Sequence, residues 1–460
     1  MTRLAAVGHI VSIRHAPTKL SAPRGLEAVL ALESRQFGCS LATTCEPLPA
    51  TGLTPADLVV DLAGNAAESS APALTIEFCG CDSFPAGLSA MVASGRLPEL
   101  AARINGAIVA RARPMVSDRL WLTRASNDLL AGAISLIVQA VGHFSAGKTP
   151  VIADAPIAVA VHKQFGWHYP LFLGKGIAER VVRKLRRGRR PFYWQVAYRL
   201  IDRPGVAETG QLDGPPFTVL PDDGQRFYAD PFVFELDGRV YLFVEEFPYA
   251  TGRGVISVTE LRGDGTFGRP TSVLQELHHL SYPQVFAHGD DIYMIPESAA
   301  ARELVLYRAI QFPNVWVRDT ILIGDRDIND ATLLERGGRL WLIGTERFGY
   351  GSASDTMVAY SAAQLRGPWI AHALNPIAID HSAARPGGAF IRQGSDFLLP
   401  VQNGSKAYGG GLGLMQLVRL DRDDVQFASP RPVLSGSAWA RRGIHTLNRV
   451  GRVEVVDSAG

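Results

Sequence analysis

The sequence predicts a multidomain protein with an N-terminal α/β domain, a basic and aromatic connector, and a C-terminal all-β five-bladed propeller. Three observations predict it. Over residues 1–150, short apolar runs alternate with amphipathic stretches, the pattern of strands and helices that share one core. Over 151–215 the composition turns basic and aromatic. Over 216–460 one hairpin-like pattern returns five times, and a repeat of this length belongs to propellers or solenoids.

Composition sets the outer bounds. A chain of 460 residues with 47% hydrophobic content accommodates two or three cored domains. The net charge of +2 implies no particular partner. The first ten residues lack the longer apolar stretch and small-residue cleavage site of a signal peptide. No run of about 18 apolar residues is evident, so no transmembrane helix is expected. Cys39, Cys45, Cys79 and Cys81 all fall early in the chain, a usage that suits a reducing cytoplasm. Cys79-x-Cys81 has no second Cys/His pair at ligand spacing, so buried free thiols are expected and no metal site is assigned. No cofactor is expected.

In the first domain, residues 4–13, 58–62 and 74–78 read as buried strands, and 25–37 and 125–141 as helices. Leu129, Leu130, Ala133, Ile134, Leu136, Ile137 and Val141 give the second helix a broad apolar face. Such alternation predicts a largely parallel sheet. The run Ala56-Asp57-Leu58-Val59-Val60-Asp61-Leu62, the segment Ile104-Asn105-Gly106-Ala107-Ile108-Val109 and a closing helix from about Ser117 resemble a formyltransferase-like domain. That family places a catalytic Asn and His after the strand that aligns with 74–78. This chain reads Cys79-Gly80-Cys81-Asp82 there, and formyl transfer needs both groups to stabilise an oxyanion and pass protons. The domain therefore reads as degenerate, with Asp61, Glu77 and Asp82 left either to line a residual pocket or, as is more common for such residues, to cap helices or face solvent.

The connector carries Phe165, Trp167, Tyr169 and Phe172, followed by Arg180, Arg183, Lys184, Arg186, Arg187, Arg189 and Arg190. Such charge beside aromatics suits either a solvated interdomain helix or contact with an anionic membrane surface. No nucleic-acid-binding module accompanies it, and nucleic acid is not an expected partner.

The repeats align residue by residue. With Asp230 at position zero, Gly238 falls at +8, Tyr241 at +11, and Glu245 and Glu246 at +15 and +16. Tyr282 opens the second copy, with Gln284 at +2 and Glu297 at +15. Asp330 opens the third, with Glu346 at +16; Pro386 opens the fourth, preceded by Arg385 and followed at +16 by Gln402. The fifth opens at Gly443, carries His445, and is too short for a whole blade. An earlier strand, around 216–220, is expected to complete it and close the ring. The periods of 52, 48, 56 and 57 residues fit one four-stranded blade plus a long loop. Antiparallel pairing brings position zero beside +15 and +16, so Asp230 is expected near Glu245 or Glu246, and Asp330 near Glu346. If each first strand lines the axis, Asp230, Tyr282, Gln284, Asp330, Arg385 and His445 meet on one rim, backed by Glu246, Glu297, Glu346 and Gln402. Converging carboxylates with an Arg and a His make a candidate site, although any single acid would serve equally well in turn or ion-pair contacts.

The opening Ala229-Asp230-Pro231-Phe232 with Val240-Tyr241-Leu242-Phe243 resembles the first blade of five-bladed glycosidases of families 43 and 32. Residues 216–460, through Tyr228-Ala229-Asp230-Pro231-Phe232, Val244-Glu245-Glu246-Phe247-Pro248-Tyr249, Ser281-Tyr282-Pro283-Gln284 and Gly443-Ile444-His445-Thr446-Leu447-Asn448, more closely resemble the N-terminal propeller domain of glucosamine inositolphosphorylceramide transferases. The glycosidase resemblance implies Asp230 as base or nucleophile and Asp330 or Glu346 as acid. Tyr282 stands where those enzymes carry a pKa-tuning Asp. The leading expectation is thus a cytoplasmic protein, peripheral at the inner membrane if the basic segment engages it. It would bind a sugar or glycolipid on the rim and process it by hydrolysis or transglycosylation. The alternatives are a non-catalytic scaffold in a glycan-assembly complex, and an acyl or formyl transferase using the first domain.

Overall fold

The computed structural model describes residues 2–6, 8–13, 23, 25–37, 55–64, 70–118, 120–150, 152, 165–187, 192–349, 351–440 and 443–459. Cys39 and Cys45 lie outside them. Two compact units emerge: Met1–Gly188 with Phe348–Ser352 and Leu374–Asp380, and Arg189–Arg347 with Ala353–Ala373 and His381–Gly460. The propeller therefore begins well before residue 216. The stretch expected to be one connector divides between a helix, Phe165–Arg187, of the first unit and a blade strand, Trp194–Leu200, of the second. That strand hides in the sequence because its burial is nearly continuous and shows no alternation.

The first unit holds a four-stranded sheet of Val59–Asp61, Ala73–Phe78, Leu100–Ile104 and Ala107–Ala112 in that spatial order. Only the first pair is parallel, with Val60 opposite Leu74. The other two are antiparallel, which corrects the largely parallel sheet expected. The cause is local: Asn105 and Gly106 take φ of 49° and 85°, the two left-handed residues of a tight hairpin loop. Among the described residues, 4–6 and 8–13 form no strand. Thr2–Ala6 is a short helix closed at Gly8, and Ile10 is 98% exposed. The helix Leu122–Ser145 is long and apolar enough to cross a bilayer. Here it is the core helix of the unit, with Leu122, Leu129, Leu136 and Ala140 fully buried. Cys79 and Cys81 are buried free thiols, and burial pushes Cys79 up to about 11.

The second unit is a ring of five blades. Blade one comprises Arg226–Leu236, Arg239–Pro248, Val255–Glu260 and Thr271–Leu274. Blade two runs Ser281–His288, Asp291–Glu297, Glu303–Gln311 and Val315–Gly324. Blade three runs Ile328–Arg336, Arg339–Glu346, Thr356–Ala362 and Ile370–Ala371. Blade four is built on Ile391–Gln393, Asp396–Gln402, Leu412–Leu420 and Val425–Phe427. Blade five joins Leu447–Val450 and Val453–Ala459 to Trp194–Leu200 and Thr218–Val219. The expected closing strand near 216–220 is thus the outer strand of blade five. A buried pair, Arg199 to Glu454 at 2.6 Å, staples this blade. Both side chains are almost inaccessible, so losing either partner would strand the other's charge.

The first strands of blades five, one, two and three touch in turn around the axis, and polar struts tie the blades together. The Asn448 amide of blade five donates to Pro231 O of blade one at 2.7 Å and accepts from Ala389 N at 2.8 Å. The Tyr282 hydroxyl of blade two lies 2.8 Å from Thr332 Oγ1 of blade three and accepts from Gly388 N at 2.7 Å. Gln284 exchanges two hydrogen bonds with the backbone of Leu333.

Candidate functional site

The site grows from one backbone irregularity repeated in three blades. Each first strand carries a bulge at position zero: between Ala229 and Phe232, between Ser281 and Gln284, and between Asn329 and Thr332. The residues inside are left-handed, with φ of 48° at Asp230, 49° at Tyr282 and 47° at Asp330. None is glycine, and such a backbone costs roughly 1–3 kcal/mol per residue unless its surroundings hold it. A bulge re-aims a side chain. Pro231 and Pro283 follow the first two and have no N–H for the broken ladder to leave unpaired.

Acids on the second strand hold two of these bulges. Asp230 N donates to Asp457 Oδ2 at 3.0 Å, and Asp330 N donates to Glu297 Oε2 at 3.2 Å. In each case the acid belongs to the preceding blade. Glu245 sits at the matching position of blade one, opposite Ala229 as Glu297 is opposite Ser281. Period-two alternation then turns the next residue away. Glu246 faces Arg226, with which it forms an ion pair, and accepts from Ser257 Oγ at 2.6 Å. Glu346 pairs with Arg326 at 3.1 Å. Both were expected on the rim; the structure instead engages them with Arg226 of the first strand of blade one and Arg326 of the link into blade three.

Asp330 is held on three sides. Arg385 approaches it through Nε at 2.6 Å and Nη2 at 3.2 Å, and Gln402 donates through Nε2 at 2.6 Å. The same Arg385 reaches Glu297 at 3.2 Å. Asp230 accepts from Thr446 Oγ1 at 3.1 Å and lies 3.5 Å from His445 Nε2. His445 Nδ1 is 2.7 Å from Asp457 Oδ1. An acceptor there fixes the proton on Nδ1 and leaves Nε2 facing Asp230. The imidazole stacks on Trp194, centroids 3.9 Å apart and planes 7° apart. Tyr408, 49% exposed, lies edge-on to both rings and beneath the Arg385 guanidinium, 5.4 Å from its ring centroid.

These neighbours shift the titration of the buried groups. Burial pushes Asp230 up to about 7; Asp330 and Asp457 add to the rise, and His445 and Arg385 oppose it. Burial, then the Asp230 and Glu297 charges, hold Glu245 well above the usual carboxylate range. Burial and Asp330 do the same to Glu297, against Arg385. For His445 burial alone would depress the pKa, but Asp457 and Asp230 outweigh it and the net shift is upward. A cluster of this kind, with acids pushed toward neutrality beside ones fully hydrogen-bonded, suits proton transfer.

Asp230, His445 and Asp457 bring their donor atoms within 4.8 Å of one another, so a cation is a conceivable guest. The chemistry of the set argues otherwise. Asp457 already accepts from the backbone of Asp230, His445 and Thr446 and from His445 Nδ1, which fits a carboxylate that orients an imidazole.

Of the residues expected on the rim, the structure gathers Asp230, Asp330, Glu297, Arg385, Gln402 and His445. Tyr282, fully buried, and Gln284 are engaged in the interblade struts. Glu245, Asp457, Trp194 and Tyr408 were not anticipated as site residues. The signal for Glu245 lay in blade two, where Pro296 and Ser298 flank Glu297 and leave +15 as the acidic position.

Comparison with known proteins adds a relationship for the propeller. A family profile described as glucosamine inositolphosphorylceramide transferase 1, N-terminal, matches residues 221–449. The glucosamine inositolphosphorylceramide transferase 1 of Oryza sativa subsp. indica is 34% identical over 229 residues, covering 48% of this chain and 30% of the rice protein. That of Arabidopsis thaliana is 28% identical over 292 residues, covering 61% of this chain and 36% of its own length. The chain thus spans about a third of these relatives. Among solved structures, an exo-β-1,3-galactanase from Clostridium thermocellum aligns with a TM-score of 0.38 and 16% identity, over 45% of this chain and 49% of that one.

Proposed function

We propose that the propeller binds a sugar of a glycan or glycolipid at the axial cluster and acts on its glycosidic bond by acid–base chemistry. The observation that carries this reading is the pairing of Asp230, pushed by burial up to about 7, with Glu245, which burial and the neighbouring Asp230 and Glu297 charges hold well above the usual carboxylate range. Both are buried in the same hairpin, with bulge strain aiming the first inward. Asp230 serves as base or nucleophile and Glu245 as the acid that protonates the leaving oxygen. Asp330 was the other expected acid. Its lock on Arg385 and Gln402 suits it better to shaping the field and positioning Arg385. His445, oriented by Asp457, disfavours a proton on Asp230. The similarity to glucosamine inositolphosphorylceramide transferases supports a carbohydrate ligand. A cytoplasmic setting and freedom from any cofactor belong to the same proposal; cell fractionation tests the first and insensitivity to a chelator tests the second.

The test is a mass-spectrometric screen of the purified protein against oligosaccharides and glycolipids of its host, with Asp230→Asn and Glu245→Gln in parallel. Product from wild type, lost in both variants while folding persists, is the expected result. Turnover that survives both substitutions would sink the acid–base assignment. A second reading, a non-catalytic glycan-binding module, rests on the saturation of Asp330. Binding without turnover would select it, and neither binding nor turnover would overturn both.

A further inference from the structure

The helix Phe165–Arg187 has two apolar faces, and among the described residues only one meets its own unit. Phe165 is 2% exposed and stacks on Tyr169, whose hydroxyl donates to Glu33 at 2.9 Å. Gly176 lies so close to Leu120 that a Cβ there would fall 2.7 Å from its Cδ1. Arg180 donates to Asp118 at 2.6 Å. Positions 165, 169, 172, 176 and 180 thus form the inward stripe, at the spacing of one helical face. At about 100° per residue, Leu171, Ile177, Val181, Val182 and Leu185 fall on the opposite side. Their exposures are 75%, 46%, 51%, 46% and 76%. Gly174 and Ala178 fill the face between them. Exposed Lys175 flanks this outer face on one side and exposed Lys184 on the other. The helix carries six Lys or Arg against one Glu.

We propose that this outer face docks on an anionic lipid surface, with the helix lying in the interface plane. Charge complementarity selects the occupant: an apolar strip between basic flanks, on a helix anchored by its other side, is the arrangement that buries side chains at the headgroup boundary while its lysines meet anionic lipid. Another soluble protein would need matching acids along both edges of a strip that is one helix wide. The apolar residues, and not the basic run alone, supply the anchor, and the contact is independent of the propeller site.

The test is flotation of the full chain with vesicles of phosphatidylcholine alone, or of phosphatidylcholine with phosphatidylserine, neither containing glycolipid. Wild type is expected to float with the anionic vesicles, and less so as salt rises. Lys175→Gln and Lys184→Gln should each weaken binding about fivefold, the factor for about 1 kcal/mol per basic residue at such a surface. Leu171→Ser with Leu185→Ser should weaken it roughly tenfold or more, with the thermal midpoint unchanged because both side chains already face solvent. Equal flotation with neutral vesicles, no flotation, or flotation indifferent to the serine variant would each overturn the proposal. So would a wild-type dimer that the serine variant dissociates, because the face would then join two copies of the chain.

Discussion

Asparagine in place of Asp230 probes the charge state of the propeller axis. Burial pushes this carboxyl up to about 7, whereas an aspartate in an unfolded chain titrates near 3.9. The folded value is the higher, so protonation favours the fold: the contribution is most favourable below about pH 4 and is lost as pH rises through about 7. Between pH 5 and about 7 this corresponds to about 2.7 kcal/mol, and sharing of the proton with neighbouring acids brings the expected loss to roughly 1–3 kcal/mol. Glu245 and Glu297 are shifted upward too and act with the same sign. His445 agrees: its raised pKa gives stability that is present below its unfolded value and lost as pH climbs through the folded one. Surface acids titrate elsewhere. Asp421, held at about 2 by Arg419 and backbone N–H groups, loses its contribution only in stronger acid. Urea unfolding followed by tryptophan fluorescence at pH 5 and pH 8 reads the difference, since Trp194, Trp316, Trp341 and Trp439 all lie in the propeller. Wild type should be the less stable at pH 8, and Asp230→Asn should recover part of that loss and flatten the slope. Wild-type stability that rises over this interval, or a variant with an unchanged slope, would refute the reasoning.

Other expectations are more direct. Glu245→Gln should abolish sugar turnover, whereas Glu246→Gln and Glu346→Gln should leave it within a few-fold, as measured by product formation at saturating substrate. Tyr282→Phe removes a hydroxyl that joins three blades and should lower stability by about 1–3 kcal/mol, read as a fall in the urea midpoint, with sugar affinity unaltered. Arg385→Gln leaves Asp330 and Glu297 buried without their cation and should cost about 3–5 kcal/mol. Asp330→Asn keeps Arg385 beside Glu297 and should cost less, and denaturation of the two variants side by side checks the order.

The blades were legible because a hairpin announces itself locally: Asp237-Gly238 and Gly337-Gly338 each supply two left-handed residues between apolar strands. The choice among the acids was not. A bulge at Asp230 adds one residue to the first strand, so simple counting cannot say whether +15 or +16 turns inward, and no residue type marks a left-handed aspartate or tyrosine. Asp457 escaped notice because the fifth copy is one residue shorter, and aligning it from Gly443 places this acid at +14. Trp194 was assigned to the connector, although it stacks on a histidine 251 positions away. In the first unit, Asn105-Gly106 carried a hairpin signal that contradicted the parallel sheet expected from alternation alone.

The closing blade also imposes an order in time. Trp194–Leu200 is made early and pairs with Val453–Ala459, made some 250 residues later. Until that last strand leaves the ribosome, the nascent ring has an open seam with two unpaired strand edges, and the long-range contact that seals it is the slow kind to form. Asp457 rides on the sealing strand, Trp194 on the waiting one, and His445 is oriented between them. Completion of the ring and assembly of the histidine's surroundings are therefore a single event, so a half-made propeller carries no oriented His445.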